Sequence, residues 1–179
     1  MLKNIKTRIG KFLLRRQLKH LKREKEFFNF ETAQTCAVVY DATGRLDYDR
    51  VKELTKYLKD RKIRVLSIGY IDKPEFYNQF KTQLEYRFFA KKDLNWHFKP
   101  DCLEVRNFLE EEFDVLINLC QEDCLPIKYI AGLSLSKCKV GPSGTDSNLF
   151  YDLIIDVGDK RTIDNFISNV KQYIDMINK

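Results

Sequence analysis

The chain has 179 residues, of which 44% are hydrophobic and 32% are charged, as is typical of one ordinary globular domain with an appendage. Its low glycine and proline contents exclude a fibrous repeat and a disordered chain. The longest uncharged stretch, 32–40, is far shorter than the roughly 20 apolar residues that span a bilayer, so no transmembrane helix is expected. The five cysteines, an odd number lying mostly in or beside apolar runs, favour a reduced, cytoplasmic protein.

Positive charge is concentrated at the N-terminus. The net charge is +6, yet residues 1–26 contain ten Lys and Arg against two Glu, a net charge of +8, which leaves −2 for the rest. Such a localised charge predicts that this segment holds an anionic partner, either a nucleic acid or a lipid surface. The predicted polyanion-binding residues are Lys3, Lys6, Arg8, Lys11, Arg15, Arg16, Lys19, Lys22, Arg23 and Lys25.

The same segment has the apolar spacing of a helix with two successive apolar faces. The first face is formed by Leu2, Ile5, Ile9, Phe12 and Leu13. The second is formed by Leu14, Leu18 and Leu21, and lies more than a quarter turn away. We expect one face to dock on the protein's own body and the other to meet a partner. The alternative is a solvated helix whose apolar stripe merely caps the domain.

The domain organisation follows from this charge pattern and from an aromatic cluster. We predict a basic amphipathic helix with its anchor over 1–30 and an α/β domain over 31–179. The anchoring aromatics are Phe27, Phe28 and Phe30.

Strand-like and helix-like segments alternate through the body. Strands are predicted at 36–40, 63–71, 113–119, near 140 and at 151–157. Helices are predicted at 51–58, from 101 with a capping box of Asp101 and Glu104, from Pro126, and at 163–177. Such alternation predicts parallel pairing with helices on both faces of the sheet. The expected fold is α/β, a three-layer Rossmann-like or flavodoxin-like mostly parallel sheet preceded by the basic helix.

The aromatic-rich stretch 72–100 does not fit this alternation. It is expected to be a lid or strand pair filling a groove, because aromatic residues usually enter cores. The functional alternative is a platform on which nucleic-acid bases stack while cations contact phosphates. The predicted contacts are Lys91, Lys92, Trp96 and His97.

The carboxyl ends of the predicted strands are the usual place for a ligand in an open α/β sheet. Asp41, Thr43, Gly44 and Asp72 form the candidate pocket there. The sequence has no dinucleotide-binding or Walker-type glycine motif, and Cys120 and Cys124 lack zinc-site spacing. With only two histidines, no catalytic residue is predicted, and neither a cofactor nor a metal is expected.

Two resemblances accompany these patterns. Residues 89–96, 113–118 and 139–141 resemble a family of short uncharacterised Bacteroidota proteins of unknown function, over nearly the whole chain. Segments 113–117 and 139–141 are also similar to the N-terminal Rossmann-like half of heptosyltransferase-like glycosyltransferases. The chain has no room for the second domain that holds most of that family's donor site, so this kinship would imply a retained fold without its catalysis.

Three functions are compatible with these patterns. The first is a non-catalytic binding protein that holds RNA or a ribosomal surface through the basic helix. The second is a peripheral membrane protein at the inner face of the cytoplasmic membrane, anchored by the same helix. The third is an enzyme with a nucleotide or nucleotide-sugar ligand on its sheet. A protein partner is the remaining expectation if neither polyanion binds.

Overall fold

Strands and helices alternate along the chain as the sequence predicts. This computed structural model describes residues 2–73, 75, 85–159 and 161–177. In chain order, the regular elements are α1 (Leu2–His20), β1 (Thr35–Asp41), α2 (Arg45–Asp60), β2 (Arg64–Ile71), β3 (Tyr86–Ala90), α3 (Leu103–Glu110), β4 (Val115–Asn118), α4 (Leu125–Leu133), β5 (Cys138–Pro142), β6 (Leu153–Ile155) and α5 (Ile163–Asp175). Short 3₁₀ turns lie at Lys91–Asp93 and Ser147–Leu149.

The described strands form one parallel sheet with the order β3-β2-β1-β4-β5-β6. In its centre, Val38 of β1 lies in register with Ser67 of β2 and with Ile117 of β4. This is the strand order of the Rossmann fold and differs from the flavodoxin-like order. The predicted α/β class is therefore confirmed, and the topology decides between the two alternatives.

Two hydrophobic cores cover the faces of the sheet. On one face, β1 contributes Val38, which packs with residues of α2 and α5 such as Leu54 and Val170. On the other face, the neighbouring Val39 joins Leu14 of α1 and Ile127 of α4. Because both faces of β1 are covered, its apolar run is continuous, as is usual in parallel sheets.

The basic N-terminal segment is only partly helical. α1 ends at His20, so the predicted helical spacing does not extend to Leu21. Arg23 lies beyond the helix and donates to the carbonyl oxygens of Ser136 and Lys137, at 3.1 and 2.8 Å. Phe28 and Phe30 are buried as predicted for an anchor, whereas Phe27 is exposed.

Other boundaries also shift. β4 and β6 are shorter than predicted. The N-cap of α3 is Cys102, which forms no side-chain cap, and the preceding Asp101 accepts hydrogen bonds from Arg106. The predicted capping box is therefore wrong. In the aromatic-rich stretch, β3 is the edge strand and its Phe88 and Phe89 are buried, whereas Phe76, Tyr77 and Phe80 lie outside the described residues.

Candidate functional site

The inner face of α1, formed by Gly10, Lys11, Leu14 and Leu18, lies against the body. Leu14 is only 1% exposed and belongs to the core that contains α4. The Tyr129 hydroxyl donates to the Gly10 carbonyl oxygen at 2.8 Å. A Cβ at Gly10 would lie 2.3 Å from the His97 carbonyl oxygen, so this close approach requires glycine.

The outer face of α1, formed by Leu2, Ile5, Arg8, Phe12, Arg16 and Lys19, is turned away from the body. Its three apolar side chains are 74%, 49% and 65% exposed, for Leu2, Ile5 and Phe12 respectively. Ile9 and Leu13 of the same predicted stripe are half-buried. The second predicted face docks through Leu14 and Leu18, although Leu21 lies beyond the helix, and most of the first face remains in solvent.

Four of the ten predicted polyanion-binding residues are engaged within the protein. Lys11 pairs with Asp123 at 2.7 Å, and Arg15 pairs with Asp146. Arg23 and Lys25 both pair with Asp152, at 2.6 and 3.2 Å. These four cations hold the basic segment to loops of the domain.

The other six cations are exposed, and none forms an ion pair with any residue that the structure describes. They are Lys3, Lys6, Arg8, Arg16, Lys19 and Lys22. Three of them, on the outer face, share that face with Leu2, Ile5 and Phe12. An exposed apolar stripe of this kind is uncommon on a monomeric protein and usually marks an interaction surface.

The Arg23–Asp152 pair is the most buried of these contacts. The two side chains are 10% and 8% exposed, and the guanidinium contacts both carboxylate oxygens at 2.6 Å. Burial alone would raise the pKa of Asp152, but hydrogen bonds from Arg23 and from the Lys139 N–H lower it below its usual value. Arg23 therefore has a structural role in this arrangement.

Among the described residues, the predicted stacking platform contains one ring that is largely exposed. Trp96 is 59% exposed and lies edge-on to His97, with ring centroids 5.0 Å apart. His97 is half-buried, and its Nε2 lies 3.0 Å from Asn95 Nδ2. Lys91 and Lys92 are both exposed, and Lys91 lies 3.9 Å from Asp72. Trp96 is thus the described aromatic of this stretch that is most available to a partner.

The predicted strand-end residues Asp41, Thr43, Gly44 and Asp72 lie together where β1 and β2 end. The Thr43 N–H donates to Asp41 Oδ1 at 2.8 Å, and Thr43 Oγ1 accepts from the Asp72 N–H at 3.1 Å. Gly44 is the N-cap of α2. These hydrogen bonds use polar groups of the two loops on each other. Of the four residues, Asp41 lines the 180 Å³ cavity between β1 and β4.

A larger cavity of 350 Å³ opens beside it, between the ends of β4 and β5. Its lining includes Asn118, Tyr151 and Arg161. Asn118 is recognisable in the sequence as the end of a buried strand, but Tyr151 and Arg161 carry no local signal. Arg161 follows the carboxyl end of β6, whereas Tyr151 precedes β6 and reaches the cavity because its ring packs on Gly141 of β5.

The remaining chemistry of the domain is sparse. No group of three or more potential metal ligands occurs among the residues that the structure describes. A hydrogen bond to Cys120 and burial both raise the pKa of Cys124, which keeps its thiol protonated. Likewise, no helix within the described ranges is long and apolar enough to cross a membrane.

Comparison with known proteins places the chain in a family. A model of a family of unknown function, DUF6913, matches residues 6–177, which include most of α1 and the entire sheet. The chain belongs to this family. The predicted likeness to proteins of unknown function is therefore confirmed, while the resemblance to heptosyltransferase-like proteins stays a prediction. Neither the curated proteins nor the solved structures contain a match.

Proposed function

We propose that this protein binds the surface of an anionic membrane through the outer face of α1. The observation that carries the proposal is the exposed stripe of Leu2, Ile5 and Phe12 beside cations that have no ion pair within the described residues. Both parts of a lipid interface stabilise a bound helix of this kind. Its apolar side chains enter the acyl boundary, and its Lys and Arg side chains contact anionic headgroups.

Magnitudes favour lipid over RNA as the partner of this face. Burying a Leu, Ile or Phe side chain contributes about 1.5–3 kcal/mol, and each cation near an anionic surface contributes about 1 kcal/mol. RNA attracts the cations through release of counterions, but its phosphate backbone gives Leu2 and Ile5 no apolar surface. The lipid interface therefore uses the whole face, whereas RNA uses only its charge.

The way in which α1 docks on the body also suits membrane binding by its outer face. Because the inner face is fixed on the core by Leu14 and by the Tyr129–Gly10 hydrogen bond, the helix lies along the body. A helix of 19 residues spans about 28 Å. It would lie in the plane of the interface with the α/β domain on the aqueous side.

Flotation with vesicles tests the apolar part of the proposal. We expect the wild type to float with vesicles of phosphatidylcholine and phosphatidylglycerol. The double variant Ile5→Ser and Phe12→Ser keeps every charge and should bind about a hundredfold more weakly or worse, because it loses two inserting side chains. Met176→Ser is the matched control, since Met176 is similarly exposed, at 63%, but follows α5 on the opposite face of the sheet.

A second arm tests the charge. Replacing Arg8, Arg16 and Lys19 by Gln should weaken binding to anionic vesicles about a hundredfold, at about 1 kcal/mol per cation. Binding to pure phosphatidylcholine should be weak in every variant. If the wild type does not float with anionic vesicles, or if the double serine variant floats as well as the wild type, the proposal is wrong.

RNA binding remains a second candidate, supported by the exposure of Trp96. Stacking of a base on an aromatic side chain contributes about 1–3 kcal/mol. A filter-binding assay with single-stranded RNA should then show weaker binding for Trp96→Ala than for the wild type, with a steep dependence on salt. Absence of RNA binding by the wild type would exclude this candidate, and binding that survives both Trp96→Ala and the triple Gln variant would exclude these residues as the RNA contacts.

A further inference from the structure

The Rossmann order creates a crevice that is independent of α1's outer face. Strand order reverses between β1 and β4, so the loops after these strands diverge and leave an opening at their carboxyl ends. The cavities of 180 and 350 Å³ lie there and share Cys120, Gln121, Glu122 and Arg161. Their combined size suits a small molecule.

A buried hydroxyl group faces the larger cavity with an unused hydrogen. The Tyr151 ring packs on Gly141, where a Cβ would lie 2.4 Å from the ring, and its side chain is buried. Asn118 Oδ1 accepts from the Cys120 N–H at 3.0 Å, so Asn118 Nδ2 must be the atom that donates to the Tyr151 hydroxyl, at 2.6 Å. The phenol hydrogen then has no acceptor among the described residues, although Tyr151 lines the cavity.

This hydroxyl remains a donor over the physiological range. Burial raises the pKa of Tyr151, so the phenol stays protonated. Because this hydroxyl lines an open cavity, water can accept its hydrogen, and a ligand oxygen that displaces the water keeps that hydrogen bond. The floor of the larger cavity therefore favours a ligand group with strong acceptor oxygens.

Charge differs between the two cavities. Arg161 lines both of them and has no ion pair within the described ranges, whereas Lys128 is neutralised by Asp123. The carboxylate of Glu122 lines both cavities, and the smaller cavity is lined in addition by the carboxylates of Asp41 and Asp47. Burial and the charge of Asp41 raise the pKa of Asp47. These carboxylates repel a phosphate from the α2 N-terminus, the usual position in dinucleotide-binding folds, but accept hydrogen bonds from hydroxyl groups.

We propose that this crevice binds a small sugar phosphate, with the phosphate in the larger cavity and the sugar hydroxyls in the smaller one. Tyr151 and Arg161 donate to the phosphate oxygens. Asp41 and Asp47 accept from the hydroxyls. The phosphate thus lies between β4 and β5 instead of at the turn after β1.

Isothermal titration calorimetry with ribose 5-phosphate, ribose and inorganic phosphate tests the proposal in the absence of lipid. Ribose 5-phosphate should bind more tightly than either fragment, because both cavities contribute. Tyr151→Phe keeps the ring on Gly141 and should weaken ribose 5-phosphate binding about tenfold, as expected for the loss of a hydrogen bond to a charged group. Arg161→Gln, a change of an exposed side chain, should weaken it at least as much.

Tyr129→Phe is the matched control, because it removes another buried tyrosine hydroxyl that does not line either cavity. It should leave ribose 5-phosphate binding unchanged. Circular dichroism melting identifies any variant that fails to fold. If Tyr151→Phe does not fold, the effect of Arg161→Gln on ribose 5-phosphate binding decides whether the proposal holds. The proposal is overturned if ribose 5-phosphate does not bind at about 10 mM, or if neither variant weakens it. Neither result bears on the proposed membrane binding, which the vesicle assay tests separately.

Discussion

The two faces of α1 have similar compositions but different surroundings. On the inner side, Leu14 is in the core, and the cations Lys11 and Arg15 pair with acidic residues of two loops. On the outer side, Phe12 is exposed and Arg8 has no ion pair within the described residues. Counting charges therefore does not reveal which cations hold the fold together and which are available to a partner. The following predictions test this division, starting with the largest expected effect.

Leu14→Ala and Phe12→Ala form the most direct test. Leu14→Ala should lower the free energy of unfolding by about 3 kcal/mol, because it leaves a cavity beneath α1. Phe12→Ala should change it by less than about 0.5 kcal/mol, as is usual at an exposed site. Urea denaturation measures both values. Equal destabilisation by the two variants would contradict the assignment of inner and outer faces.

Gly10→Ala tests the closeness of the docking. The new Cβ would lie 2.3 Å from the His97 carbonyl oxygen, so we expect a loss of about 2 kcal/mol despite the better helix propensity of alanine. Gly144→Ala is the control, because no atom lies within 4 Å of the added Cβ. Should Gly10→Ala prove stabilising in urea denaturation, α1 is not held as described.

Lys139, a buried residue of β5, makes the free energy of unfolding depend on pH. Its Nζ donates to the Gly132 carbonyl oxygen at 2.7 Å, and burial lowers the pKa of Lys139 from 10.5 to about 7. Between these values the unfolded chain binds the extra proton, so this residue destabilises the fold most at low pH and progressively less as pH rises above 7.

The measurement compares wild type with Lys139→Met, because the cysteines titrate in the same way in both proteins. Between pH 7 and pH 8.5, the free energy of unfolding of the wild type should rise by about 1–2 kcal/mol relative to that of the variant. Vesicle binding by the outer face should not depend on this substitution. A difference that stays constant over this range would contradict the proposed titration.

The smallest effects are expected from the ion pairs. Lys11→Gln should lower the free energy of unfolding by less than about 1 kcal/mol at low salt, because the Lys11–Asp123 pair is largely solvated. Arg8→Gln, the matched control, should have no effect on stability. Thermal denaturation at low and high salt separates them, since only the loss at Lys11 should disappear with salt. Loss of stability in Arg8→Gln would show that Arg8 has a partner within the protein.

Much of the fold is predictable from local patterns. The apolar runs at 36–40 and 113–119 predict buried strands, and the order of segments predicts a parallel sheet with helices on both faces. The errors occur at helix ends. α1 ends before Leu21, and Asp101 pairs with Arg106 and does not cap α3. Spacing reports the periodicity of one element and does not show at which residue that element begins or ends.

The sequence alone determined that the N-terminal segment is basic, helical and apolar on two successive faces, because helical periodicity and charge are local properties. Only the tertiary structure decided which face is buried, which cations are paired and where the crevice lies. Arg23 meets Asp152 across 129 positions of sequence, and Tyr151 reaches Asn118 across 33. Such pairs exist because the strand order brings distant segments of the chain side by side, and that order follows from packing of the whole chain.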